Sequence, residues 1–334
     1  MNAHRGRSVS LAVLLLVALA ALIAVGTAVG SAGLQWPTAD DEVARRIAWD
    51  IRLPRTLGAA LVGALLGLAG AVAQGLFRNP LADPFLLGSA SGAALGVALA
   101  LAWWGVSPLA AQAVARVGLT GAAFAGAMLG VLLTLALSRG MQHTLRLLLG
   151  GVIVGVVLGA CKDLVTLASP EVLQGMQAFT LGNTGFIGWD ACVLMLAVLL
   201  PLLLLGAALG PMLDALALGE PTARSLGLPL APLHIALVAL IALATGTAVA
   251  QAGLIAFVGL AAPHLVRAVV APTHGALVVL AALAGAVLLT AADIAARTVV
   301  APGEWPVGVM TAVLGGGYLL WRMHRSARLQ AGAV

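Results

Sequence analysis

The sequence predicts an all-α, polytopic membrane protein of about ten transmembrane helices, folded as a single domain over residues 1–334. Three observations predict it. Charged residues make up 9% of the chain and hydrophobic ones 62%, whereas a soluble domain carries about 25% charged residues. Apolar runs recur at the length of about 20 residues that a helix needs to cross a bilayer. Aromatics are 4% and glycines number 41, which favours close-packed helices over a lipid-facing barrel with its aromatic girdles.

The segments follow in order as residues 9–32, 56–76, 85–105, 116–137, 145–168, 190–213, 231–250, 253–270, 275–298 and 305–322. The first follows Arg5 and Arg7 and resembles a signal peptide. Its apolar run from Val9 to Gly30 exceeds the usual h-region of about 7–15 residues, so a retained helix is expected. The polar stretch 34–55 places Val43, Ile47 and Ile51 at four-residue spacing with acids ahead of arginines, as a short surface helix prefers; Pro54 then opens the second span. The eighth segment, interrupted by Pro263 and His264, is expected in two pieces. Gly88, Gly92 and Gly96, and again Gly151, Gly155 and Gly159, give spans three and five smooth faces for close packing, or for a pathway wall.

An even number of spans puts both ends of the chain on one side. Taken as cytoplasmic, that side holds Arg5, Arg7, Arg78, Arg139, Arg146, Arg224, Arg267, Arg322, Arg325 and Arg328, against Asp83, Asp214 and Glu220. This follows the positive-inside rule, although Arg45, Arg46, Arg52 and Arg55 fall outside. The formal charge of +5 is thus a matter of topology and does not indicate nucleic acid. Cys161 and Cys192 lie in apolar runs and read as buried small hydrophobes without a disulfide.

Several chemistries are excluded. Lys162 is the only lysine and no G-x-x-x-x-G-K-[ST] occurs, so the chain does not hydrolyse nucleotide itself. It is not expected to be an enzyme. The six histidines are dispersed and mostly sit at span ends, which disfavours haem ligation and a metal cluster. A proton-driven carrier, the rival reading from another class, would have to work through Asp163, because Asp293 has Arg297 one turn away.

The corner QGLFRNPLADPFLLGSASG (74–92) is set by Arg78 at the interface, a turn at Asn79-Pro80, and Asp83-Pro84 starting span three. With RLPR (52–55) and the glycine-rich run 58–96, it resembles the signature of the permeases of ABC importers for iron-siderophores, haem and cobalamin. LGEPTARSLGLPL (218–230) is similar to that family's coupling segment, and GLIAFVGLAAPHLVR (253–267), with Pro263, His264 and Arg267, to its Pro-His…Arg motif. ADIAAR (292–297) and GEWPVGVMTAVLGG (303–316) resemble its last two helices. The echo of GAVAQGL (70–76) in TAVAQAGL (247–254) agrees with inverted repeats of spans two to five and seven to ten.

The resemblance implies ten helices per subunit and a homodimer around a central pathway in the bacterial inner membrane. Two ATP-binding cassette subunits would hydrolyse ATP-Mg below, and a periplasmic binding protein would dock above. No cofactor is expected to stay bound. Within the segment 214–230, the resemblance implies that Gly219, Glu220, Ala223, Leu226 and Gly227 contact the ATPase. It assigns Arg52, Arg55 and Arg297 to binding-protein docking, against snorkelling for the first two and an Asp293 pair for the third. It makes Thr144 and Leu145 gate candidates. The chain departs from the family at APTHG (271–275), at 176–189 and at GGGY (315–318), which leaves the ligand open.

Lys162 and Asp163 stand out inside span five. As neighbours they point about 100° apart, so a simple side-by-side pair is not expected. At mid-membrane each charge would cost about 2.5–3.5 kcal/mol, so both should face protein or a water-filled cavity. A pathway-facing Lys162 would suit an anionic ligand, which makes haem the first substrate expectation and cobalamin or a ferric siderophore the alternative.

Overall fold

A computed structural model of the chain describes residues 2–30, 33–34, 41–104, 113–137 and 144–318. Arg139, His143, Arg322, His324, Arg325 and Arg328 therefore lie outside the described residues, as do the ends of several predicted segments. For His4, Arg5 and Thr144 only the backbone is described.

Among the described residues, seven helices are long and apolar enough to span a bilayer, and three shorter apolar helices join them (Ser89–Trp103, Val258–Val269 and Val307–Tyr318). Each falls on one of the ten predicted segments. The chain starts with α1 (Asn2–Ala28), which ends in a two-residue antiparallel pairing of β1 (Val29–Gly30) with β2 (Gly33–Leu34). The short α2 (Glu42–Ile47) is capped by Asp41, whose Oδ1 accepts the Ala44 N–H at 2.9 Å, and is supported by a Glu42–Arg46 pair at 2.8 Å. This is the surface helix expected from the charge order.

No break follows α2. A π-turn over Ala48–Arg52 runs straight into α3 (Leu53–Leu76), so helix is continuous from Glu42 to Leu76. Pro54 explains the widened turn: it has no N–H to donate back to residue 50, and a π-turn accommodates the missing bond.

At the other end of α3 the predicted corner is built from local polar bonds. Arg78 takes a left-handed φ of 49°. Asn79 Oδ1 accepts the Leu81 N–H at 2.9 Å, and Asp83 Oδ1 accepts the Phe85 N–H at 2.8 Å. Asp83 thereby caps a 3₁₀ turn, Pro84–Leu87, closed by Gly88 at φ 78°. The spanning helix α4 (Ser89–Trp104) begins only after that turn, later than the sequence suggested.

The remaining elements are α5 (Ala113–Leu137), α6 (Thr144–Leu167), α7 (Pro170–Leu181), α8 (Trp189–Ala208), α9 (Gly210–Ala217), α10 (Glu220–Ser225), α11 (Leu230–Ala252), α12 (Val258–Val269), α13 (His274–Thr298) and α14 (Val307–Tyr318). Residues 254–257 precede α12 as non-helical chain, and α12 then runs unbroken through Pro263 and His264, so the break expected at those two residues does not occur. The two AVAQ echoes end α3 and α11. Each is followed by a short, a long and a last span, in opposite directions across the membrane by span count.

Helix α3 is the centre of the bundle. Its apolar window is 89% buried, against 6% for α1 at the periphery. Glycine makes this possible. A Cβ on Gly63 would overlap the Gly285 carbonyl of α13, and one on Gly285 would overlap the Gly63 carbonyl. Gly92 of α4 and Gly126 of α5 meet in the same reciprocal way. Without a solvent to drive helices together in lipid, close backbone approach supplies the packing energy. Gly151 likewise lies on the Leu86 carbonyl, whereas Gly159 has open space beside it.

Candidate functional site

Two polar constellations sit at opposite ends of α13. The inner one starts from the chain between two spans. Gly210-Pro211 starts α9, and Gly219, at φ 108°, turns the chain into the short α10. Gly227, at φ 81°, then releases it through Pro229 into α11. Side chains disfavour such φ values, which is why glycine brackets this knuckle. Glu220 and Ala223 face inward and are buried, while Leu218 and Leu226 are exposed. Arg78 from the α3–α4 corner reaches the turn at Gly219.

The knuckle is fastened to the bundle. Asp214 Oδ1 accepts the backbone N–H of His274 at 3.1 Å and lies 2.6 Å from its Nδ1. A Cβ on Gly210 would collide with the Gly275 backbone. Nearby, Arg267 Nη1 donates to Gln74 Oε1, and Gln74 Nε2 donates to the Leu260 carbonyl at 3.2 Å, stitching α3 to α12. Pro263 is buried inside α12, and His264 meets Tyr318 of α14 edge-on, with centroids 6.1 Å apart. The motif residues thus join helices.

The outer constellation is a buried ion cluster around Asp293, which is fully buried. Its Oδ2 pairs with Arg297 Nη2. Its Oδ1 accepts the Thr184 hydroxyl at 2.5 Å and Arg55 Nε at 3.2 Å. Arg297 also donates to the Gly26 carbonyl at 3.0 Å and to Thr56 Oγ1 at 3.1 Å. Arg55 Nη1 turns outward to Glu304 Oε2 at 2.8 Å. Arg52 reaches back to the Ala28 carbonyl at 3.1 Å, where a cation suits the C-terminal end of α1.

This arrangement corrects one expectation. Arg297 is 1% exposed and is spent on Asp293, Thr56 and α1, so it offers no surface to a docking protein. Arg52 and Arg55 keep partial exposure at the outer rim. Thr184 was missed by sequence reasoning. Its segment reads as a loop, and the tertiary partner of a threonine leaves no sequence signal.

A second expectation is corrected in α6. Lys162 Nζ and Asp163 Oδ1 do pair, at 2.5 Å. The long lysine stem bridges the 100° between neighbours. The pair lies in the last turns of a helix that ends at Leu167, away from mid-membrane, and Asp163 is 72% exposed. The two charges are therefore neither deeply buried nor separately available. Thr144 starts α6 and Leu145 stands exposed beside it. Among the described residues no three His, Cys, Asp or Glu converge as a metal site.

Comparison with known proteins gives one family. The model of the FecCD transport family matches residues 11–325. The hemin transport system permease protein HmuU of Yersinia pestis is 38% identical over 327 residues, covering 95% of this chain and 96% of its own. The vitamin B12 import system permease protein BtuC of Salmonella paratyphi A is 41% identical over 318 residues, covering 94% of each. A solved metal-chelate type ABC transporter in an inward-facing conformation superposes with a TM-score of 0.85 at 28% identity, over 95% of this chain and 99% of the other. The glycine-bracketed knuckle, the proline-set corner and the ten apolar helices among the described residues stand in a chain that matches along almost its whole length: it belongs to the FecCD transport family of ABC importer permeases.

Proposed function

We propose that the chain, as a homodimer in the bacterial inner membrane, moves a bulky metal chelate from periplasm to cytoplasm by alternating access. Two partner ATPase subunits grip the knuckle at Gly219, Glu220, Ala223, Leu226 and Gly227 and hydrolyse ATP-Mg. A periplasmic binding protein meets Arg52 and Arg55, whose guanidinium groups steer and orient acidic side chains. Thr144 and Leu145, where α6 begins, narrow the inner exit between the two copies.

The knuckle carries this reading. A helix too short to span, set on two left-handed glycines and presenting Leu218 and Leu226 outward, is a shaped protrusion that fits a groove in another subunit. The proton-carrier alternative loses its support, because Asp163 is ion-paired with Lys162.

Haem is the first substrate reading, supported by the likeness to a hemin permease over nearly the whole chain. Cobalamin is the second, supported by relatives named for vitamin B12 at a similar identity. The Lys162–Asp163 pair favours neither, since its charge is internally compensated. The test is the ATPase rate of the reconstituted complex with binding protein loaded with haem, cobalamin or ferric siderophores. The largest stimulation is expected with haem. A larger one with cobalamin establishes the second reading, and ligand uptake that proceeds without nucleotide overturns the ABC mechanism.

A further inference from the structure

We infer that α13 is a strut joining the knuckle to the outer arginine cluster, and that the Asp214–His274 pair is its inner fastening. This rests on the coupling role proposed above for the knuckle.

A helix begins with backbone N–H groups that have no partner inside the helix. A side chain just before the first turn commonly supplies one. Here Thr273 occupies that position and makes no such bond. The acceptor comes instead from another element. Asp214 of α9 takes both the backbone N–H and the ring nitrogen of His274, the first residue of α13, on one carboxylate oxygen. A carboxylate at a helix start is also favoured by the helix dipole. Helix α9, which leads into the knuckle, therefore caps the start of α13 from a separate element of the same chain.

The joint has little slack. Gly210 lies directly on the Gly275 backbone, and Gly75 of α3 lies against the His274 ring. A displacement of α9 must either break both Asp214 bonds or carry α13 with it.

The helix is able to transmit such a displacement. Its 25 residues contain no proline and extend about 37 Å, enough to cross the membrane. At the far end Asp293 and Arg297 hold Arg55, Thr184 and α1. Force on the knuckle thus reaches the residues that orient Arg55, and occupancy of Arg55 reaches the knuckle. By linkage the two effects are reciprocal for binding.

The test uses the complete transporter in lipid nanodiscs. The first readout is the ratio of ATPase activity with and without binding protein. D214A removes the fastening, whereas D214N keeps the oxygen that accepts both bonds. We expect the ratio to fall about tenfold in D214A, within the range of typical coupling energies, and to return towards wild type in D214N. If D214A fails to assemble, H274A keeps the backbone bond, loses the ring bond and carries the same comparison.

The second readout needs no partner. Hydrogen exchange of the permease alone should rise at residues 295–304 in D214A and not in D214N. A D214A complex that assembles and is stimulated like wild type overturns the strut, as does an exchange increase confined to the inner end. A wild-type complex with no stimulation at all would instead remove the coupling function on which the strut depends, and the strut's role with it.

Discussion

The two ends of α13 solve the same problem, holding a charged group at the end of a span, in opposite ways. At the outer end Asp293 is sealed from solvent and bound by two arginines and a threonine. At the inner end Asp214 keeps 42% of its side chain exposed and binds one residue, His274. A sealed cluster stays together because each charge would be stranded without the others; a half-exposed pair can open, because water replaces what it loses. The outer end is built as an anchorage and the inner end as a joint.

The largest effect should come from removing the centre of the anchorage. D293A strands Arg297 and the inner edge of Arg55, and breaking a buried pair in this way costs about 3–5 kcal/mol. A marked drop in thermal unfolding temperature and in yield of assembled protein is expected. A shift no larger than that of D214A would erase the contrast between the two ends. T184V keeps the charges and deletes one hydroxyl bond to Asp293, so a loss of about 1–2 kcal/mol is expected from the same melt.

Glu304 sharpens the contrast within the outer cluster itself. It holds the outward nitrogen of Arg55 at 2.8 Å and is 37% exposed. E304Q should change stability by less than about 1 kcal/mol. It should also free Arg55 for an acidic partner, which would appear as tighter binding-protein association in a titration at low salt. Weaker association would mean that Glu304 itself serves the docking surface.

The smallest effect belongs to Asp83 at the inner corner. Burial pushes its carboxyl above the ordinary value of 3.8, partly offset by the Phe85 N–H it accepts. The folded state therefore holds this proton more tightly than the unfolded one. Stability present below the ordinary value is lost as pH rises through the raised one. D83N keeps the capping oxygen without the charge, so its stability profile should lack that decline. A profile parallel to wild type across this window would show that the carboxylate is well solvated.

What the sequence disclosed follows a physical divide. The ten spans were legible because bilayer thickness imposes run length, and the corner at 78–84 because Asn79, Pro80, Asp83 and Pro84 act on their own backbone. Contacts between distant segments were not legible. Nothing local in Thr184 or Gln74 announces Asp293 or Arg267 as a partner. The π-turn before Pro54 was missed because the proline reads as a helix start. Helix α7 has a legible start in Ser169-Pro170-Glu171, but its 12 residues are too few to span, so bilayer thickness imposes no run length on it and hydropathy does not reveal it. The Lys162–Asp163 pair was misjudged because helical angles fix Cβ directions and not the reach of a lysine stem.

The reciprocal glycine contact between α3 and α13 has a consequence for how the protein is made. Helix α3 leaves the ribosome long before α13 exists, so until then Gly63 and Gly67 wait without the Gly285 and Ala281 backbone they pack on. Late synthesis of α13 would then be the step that sets the central bundle, and a ribosome stalled before Gly285 should leave an inserted but still protease-sensitive intermediate.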